Sequence, residues 1–234
     1  MDIREISDPT DFEVELNHWW AKARFRELKK AIPLTKQKYI VEIGCGSAQN
    51  LFFIDRDYPH LRLLGVDNKC GEVSYSWLPD RIEIIPKINY KLFDADVYLL
   101  MDVIEHIQND GEFLTMIVEQ AKRQSIFFVT VPAFNMLWSQ RDEELGHYRR
   151  YTKRSLSSVC ATAGITIERC YYKYSFLFPL LFLLKRKANT IGIHSQWWGW
   201  PNVAGAVLDV ICRIEELLPR APFGTSIILV GTKT

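Results

Sequence analysis

The feature that most constrains this chain is a strand that ends in a glycine turn. KYIVEIG is a short continuous apolar run, it closes on Gly44-Cys45-Gly46, and SAQNLFFIDRDYP follows it as a helical segment. A continuous run, unlike the alternating pattern of a half-exposed strand, reads as a strand buried on both faces. The two glycines let the backbone turn tightly and approach a ligand, and the next helix presents free N–H groups at its start. Strand, turn and helix in that order begin an open α/β sheet, in which ligands sit outside the carboxyl ends of the strands.

The rest of the chain repeats the alternation. LRLLGVD, RIEII, ADVYLLMDV and SIFFVTVP are further strands, ITIERCYYKY is a sixth, and TSIILVGT is a seventh near the C-terminus. Helical segments fall between them, at about 111–123 and 153–164. The pattern predicts a Rossmann-like, doubly wound α/β fold: a seven-stranded parallel sheet with helices on both faces. Ahead of it, Asp8-Pro9-Thr10-Asp11 supplies capping chemistry for one long amphipathic helix that runs to Ile32 without Gly or Pro. The 234 residues suit a single domain over 1–234, with an apolar helical insertion over 176–222 that a minimal sheet does not need.

Composition narrows the partners. Apolar residues make up 48% and charged residues 24%, which is a globular chain, and a net charge of +1 gives no reason to expect nucleic acid. Five cysteines without a CxxC pair, and an acidic N-terminus without an apolar core, point to reduced thiols and a cytoplasmic setting. The uncharged stretch from Tyr174 to Leu184 is interrupted by Pro179 and is too short to span a bilayer, although it can lie on one.

The turn itself excludes two phosphate-binding readings. A nicotinamide-type fingerprint needs a third glycine where this chain has Gln49, and a P-loop needs Gly-Lys-Ser/Thr. Present instead are Glu42 two positions before Gly44, and Asp67 closing the second strand 21 residues after Gly46, where a carboxylate can accept hydrogen bonds from ribose hydroxyls.

VEIGCGSA, GVD ending in Asp67, and LLMDVIEHI at 99–107 resemble, in this order, the motifs of class I S-adenosylmethionine (SAM) dependent methyltransferases. The resemblance covers roughly Tyr39 to Leu156 and the last strand. It implies SAM as methyl donor and S-adenosyl-L-homocysteine as product. It implies that Glu42 orients the methionyl amino group through the turn, that Gly44, Cys45 and Gly46 pass under the cofactor, and that Asp67 holds the ribose. Asp102, Val103 and Ile104 would line the cofactor, and Asn50 and Asn68 join the same set. His18-Trp19-Trp20-x-x-x-Arg24 resembles the aromatic and arginine helix that covers the cofactor in a bacterial subset. Residues 1–36 would then be the cover, with Trp20 and Arg24 in contact and Arg24 meeting the carboxylate. Many members place an acid after the third strand for the adenine amino group; here Ile84-Ile85-Pro86-Lys87 offers backbone groups and apolar packing.

On the acceptor side, a histidine suits proton removal near neutral pH, and two are placed for it. His106 follows the fourth strand in Asp102-Val103-Ile104-Glu105-His106. That spacing also resembles quinone-biosynthesis O-methyltransferases, whose related stretch can carry a divalent cation. Asp102, Glu105 and His106 would be its ligands, but the favoured reading gives these carboxylates to the cofactor and names no metal. His147 lies in VPAFNMLWSQRDEELGHYRRYT, which resembles a bacterial subgroup with G-H-x-R-R-Y after the fifth strand. His147 and Tyr151 are expected to face the acceptor, while Arg149 and Arg150 brace the loop.

The insertion runs from an apolar stretch into Lys185-Arg186-Lys187 and on to Trp197-Trp198-Gly199-Trp200. This order suits either a peripheral membrane contact through 176–200 or a lid over the sheet. Both imply a small or lipid-like acceptor, methylated on a hydroxyl or another nucleophile, and the resemblance suggests envelope, polysaccharide or quinone metabolism. A SAM-binding protein without transfer activity is a second class, against which the two histidines stand. A nucleotide-dependent oxidoreductase is a third, against which Gln49 stands.

Overall fold

The computed structural model describes the chain except residues 1–8, 69, 71–74, 89–93 and 189–201, and describes the backbone alone for 9–11, 184–188 and 202–204. Seven strands form one sheet in the order β3-β2-β1-β4-β5-β7-β6. β1 (Tyr39–Ile43), β2 (Arg62–Val66), β3 (Ile82–Ile85), β4 (Val97–Met101) and β5 (Ile126–Pro132) are mutually parallel. β7 (Ser226–Lys233) lies between β5 and β6 (Ile165–Lys173) and is antiparallel to both.

The expectation of an all-parallel sheet fails at β7. The insertion starts at the carboxyl end of β6 and returns the chain to that same end, so that Lys173 pairs with Ser226 and β7 runs back. An apolar run buried on both faces has the same pattern in either direction, so the sequence carried no signal of it. Both faces are indeed covered. Val41, Ile43, Tyr98 and Leu100 point into the core under α4 (Asp110–Gln120) and α6 (Lys153–Thr162). Their neighbours Ile40, Val97, Leu99 and Met101 point into the core under α2 (Trp19–Ala31) and α3 (Gln49–Asp57).

The single N-terminal helix is also corrected: α1 (Pro9–Asn17) and α2 are separate. His18 between them is extended, and its Nδ1 accepts the Trp20 N–H at 3.3 Å, which caps the second helix. The break turns α1 across the glycine turn, where Gln49 donates to the Glu15 carbonyl at 2.9 Å. The insertion contributes α7 (Leu177–Ala188) and α8 (Asn202–Glu215). α8 packs on α2, with Arg26 reaching Asp209 at 2.7 Å and Glu216 at 2.9 Å. Trp197, Trp198 and Trp200 lie outside the described residues. Among the described residues, no helix is long and apolar enough to cross a membrane.

Candidate active site at the carboxyl edge of the sheet

Gly44 and Gly46 both adopt positive φ, +68° and +54°. A Cβ on Gly44 would stand 2.7 Å from Val103 Cγ2, so only glycine lets the β1 turn close against the segment after β4. Asp67, at the end of β2, accepts the Gly46 N–H at 2.9 Å and so ties the second strand to the turn, with Asn68 exposed beside it. Cys45 and Ile104 are buried and contribute backbone and packing.

Beneath the turn, Glu42 is 1% exposed. Asn50 Nδ2 donates to its Oε1 at 2.6 Å, whereas Glu42 Oε2 and Asn50 Oδ1 are buried without a hydrogen-bond partner. Burial pushes the Glu42 carboxyl up to about 7, against the lowering effects of the Asn50 hydrogen bond and the Arg24 charge. Two buried acceptors lacking donors fit a ligand that brings N–H groups and positive charge, as the amino group of a methionyl cofactor would.

Arg24 stands beside it on α2, 3.2 Å from Asp102 Oδ2, with its Nε buried and unpartnered. Asp102 adopts φ +58°, uncommon for a residue other than glycine, and is held by Thr130 through the backbone at 3.0 Å and the side chain at 3.1 Å. Trp20, leaning on Tyr174 with ring centroids 4.3 Å apart, joins Arg24, Met101, Asp102 and Thr130 around a cleft. The sequence reading missed the other cover of the turn. Tyr75 donates to the Gly46 carbonyl at 3.1 Å and Trp77 to the Ser47 carbonyl at 3.4 Å, with Phe12 stacked on Trp77. Their signal was two aromatics in SYSWLPD, the loop beyond the carboxyl end of β2.

The loops after β4 and β5 meet on the other side of the edge. The Tyr148 N–H donates to the Glu105 carbonyl at 2.8 Å, and the His106 and His147 rings stand edge to face with centroids 4.6 Å apart. The two candidate bases therefore share one place. His147 Nδ1 is 2.9 Å from Asp142 Oδ1, and Asp142, on the short helix α5 (Gln140–Glu144), is clamped by Arg150. Burial pushes the Asp142 carboxyl up, but hydrogen bonds from His147 and Arg150 together with the guanidinium charge outweigh it and hold the group well below the usual carboxylate range. Glu105 is fully buried with neither oxygen hydrogen-bonded, and burial together with the Asp102 charge pushes its carboxyl well up.

One expectation changes here. Tyr151 is 3% exposed and lies in the core rather than on the rim, donating to Asp110 at 2.6 Å. The cause is Ala133, with which Tyr151 forms a parallel bridge that draws the loop back onto the sheet. Asp102, named with Glu105 and His106 as the alternative cation set that the sequence did not favour, is engaged by Arg24 and Thr130. Among the described residues, the donor atoms that converge within 4.8 Å are those of Glu105, His106 and His147. Arg149 pairs with Asp110 at 2.9 Å, so both arginines serve the loop.

No protein-family profile and no curated protein matches the sequence. Solved structures do match the fold. A SAM dependent methyltransferase from Archaeoglobus fulgidus superposes with a TM-score of 0.57 at 13% identity, covering 91% of this chain and 94% of that one. The plantazolicin methyltransferase BamL, solved with a desmethylPZN analog and SAH, gives 0.55 at 13% identity over 95% and 84%. The [4+2]-cyclase SpnF gives 0.57 at 18% identity over 89% and 80%. At such identities the likeness speaks for architecture alone, and on that evidence this chain has the seven-stranded, Rossmann-like fold of SAM-dependent methyltransferases.

Proposed function

We propose that the chain transfers a methyl group from SAM to a hydroxyl or comparable nucleophile of a small or lipid-like acceptor. The observation that carries this reading is the left-handed glycine turn lying over the unpartnered oxygens of Glu42 and Asn50, with Arg24 beside it. Glu42 and Asn50 would receive the amino end of the cofactor, Arg24 its carboxylate, and Asp67 its ribose. SAM supplies a methyl group on a positively charged sulfur. The protein then has to hold the acceptor near that methyl and accept its proton, a step for which a positioned base contributes about 10²–10⁴-fold. His106 and His147 are the candidates.

Calorimetry tests the reading: SAM and S-adenosyl-L-homocysteine bind and NAD(H) does not, and failure of both sulfur ligands to bind would end it. A second reading is chemistry other than methyl transfer on the same fold. The cyclase neighbour motivates it, since fold does not fix function. Incubation of radiolabelled SAM with envelope lipids, quinone precursors and glycans separates the two by whether label moves to an acceptor.

The exposed Leu180, Phe182 and Leu183 of α7, followed in sequence by Lys185-Arg186-Lys187, support a peripheral contact with an anionic membrane surface on the cytoplasmic side. Flotation with anionic vesicles checks it. A protein that stays at the bottom of the gradient leaves 176–222 as a lid.

A further inference from the structure

We propose that Asp142 is a positioning residue that makes His147 the group receiving the acceptor's proton. The inference rests on the methyl-transfer reading above and adds to it the choice of base and the group that controls it.

Asp142 is 1% exposed and surrounded by donors. Its Oδ2 accepts from Arg150 Nη2 at 2.9 Å, from the Ser139 N–H at 2.8 Å and from Ser139 Oγ at 3.0 Å. Its Oδ1 accepts from Arg150 Nε at 2.7 Å and faces His147 Nδ1 at 2.9 Å. A guanidinium does not lose its proton in proteins and a backbone N–H is permanent, so the carboxylate is fixed as an acceptor on every side. Opposite it, His147 Nδ1 must carry the hydrogen. In a neutral imidazole that leaves Nε2 bare and able to take a proton. The loop is anchored in turn by Arg150 to the Ala133 carbonyl and by Tyr148 to Glu105, so the ring is held against His106.

In the reaction, the acceptor oxygen bonds to the methyl carbon as the carbon–sulfur bond breaks onto sulfur. The oxygen's proton passes to His147 Nε2, and the Asp142 carboxylate faces the imidazolium so formed. Asp142 touches neither reactant. It acts through tautomer and ring orientation, as carboxylates do behind other catalytic histidines.

Asp142→Asn tests whether Asp142 sets the tautomer of His147. The Oδ2 position meets three donors and the Oδ1 position meets Arg150 Nε and the imidazole, so the amide nitrogen of an asparagine goes to the Oδ1 side. There it donates to His147 Nδ1 and forces the hydrogen onto Nε2. The test is imidazole nitrogen NMR of the full chain at about pH 9, above the ordinary histidine range of about 6.5, with His147→Ala for assignment. Wild type should show Nδ1–H with bare Nε2, Asp142→Asn should show Nε2–H, and Asp142→Glu should restore the wild-type form. A wild-type His147 protonated on Nε2, or an unchanged tautomer in a folded Asp142→Asn, overturns the proposal. If Asp142→Asn does not fold, the wild-type spectrum decides alone, and Arg150→Gln should keep the wild-type tautomer. SAM calorimetry on the same samples keeps the outcomes apart, since loss of SAM binding in wild type breaks the methyl-transfer reading without altering the tautomer result.

Discussion

Two buried carboxylates, Glu42 beneath the glycine turn and Asp142 behind His147, are equally withdrawn from water, each 1% exposed, and yet they are in opposite electrostatic states. Asp142 has its charge matched within the fold by Arg150, Ser139 and His147 and is held well below the usual range. Glu42 has one donor and one unpartnered oxygen, and burial carries it up to about 7. The first belongs to a structure that is complete without a ligand, and the second to one that a cationic ligand would complete. Stability and binding should therefore divide between them.

The largest effect is expected at Asp142. Asp142→Ala leaves the half-buried Arg150 guanidinium and the Ser139 donors uncompensated and should cost about 3 kcal/mol of unfolding free energy, read by urea titration; a loss under 1 kcal/mol would mean that the clamp is not formed. Glu42→Gln should do the reverse. The unliganded protein should melt at or above the wild-type temperature, while SAM affinity falls about ten- to a hundredfold, equivalent to about 1.4–2.8 kcal/mol. A variant with lower melting temperature and intact SAM affinity would erase the contrast.

The pH dependences should also run in opposite directions. A raised folded pKa means that Glu42 binds its proton more tightly folded than unfolded. Its contribution to stability is fully present below the ordinary carboxylate range and is lost as pH rises towards about 7. Asp142, with a depressed pKa, contributes above the ordinary range and loses its contribution as pH falls through its folded value. For ligand binding, a cation favours ionised Glu42, so SAM affinity should rise about tenfold between about pH 6 and 8, with proton release on binding. Calorimetry in buffers of different ionisation enthalpy measures this, and Glu42→Gln should flatten the slope.

The smallest effect is expected at Tyr151. Tyr151→Phe removes a buried hydrogen bond to Asp110, which keeps Arg149, and should cost about 1 kcal/mol of stability without changing SAM affinity. Loss of label transfer at unchanged stability would instead return Tyr151 to the acceptor side.

The strand-turn-helix start, the seven strands, the glycine turn and the presence of Glu42 before it and of Asp67 at the end of the second strand were legible in the sequence, because they follow from local patterning: continuous apolar runs, glycines at the turn and fixed spacings. His106 and His147 were legible as candidates, since each follows a strand on the ligand edge. Their meeting at 4.6 Å was not, because it depends on the Tyr148–Glu105 contact between loops 43 residues apart in sequence. Tyr151 shows the same limit in reverse, for its bridge to Ala133 turns a polar-looking rim residue into core.

The sequence by itself thus determined the class of sheet, the edge of the sheet that carries the candidate site and the residue types available there. The direction of β7, the break at His18, the clamp of Arg150 and His147 on Asp142 and the engagement of Asp102 by Arg24 were decided by tertiary structure alone. The physical reason is that burial and periodicity are local properties of a chain, whereas strand direction, the partner of a charge and the tautomer of an imidazole are fixed by atoms that other segments bring to the same place.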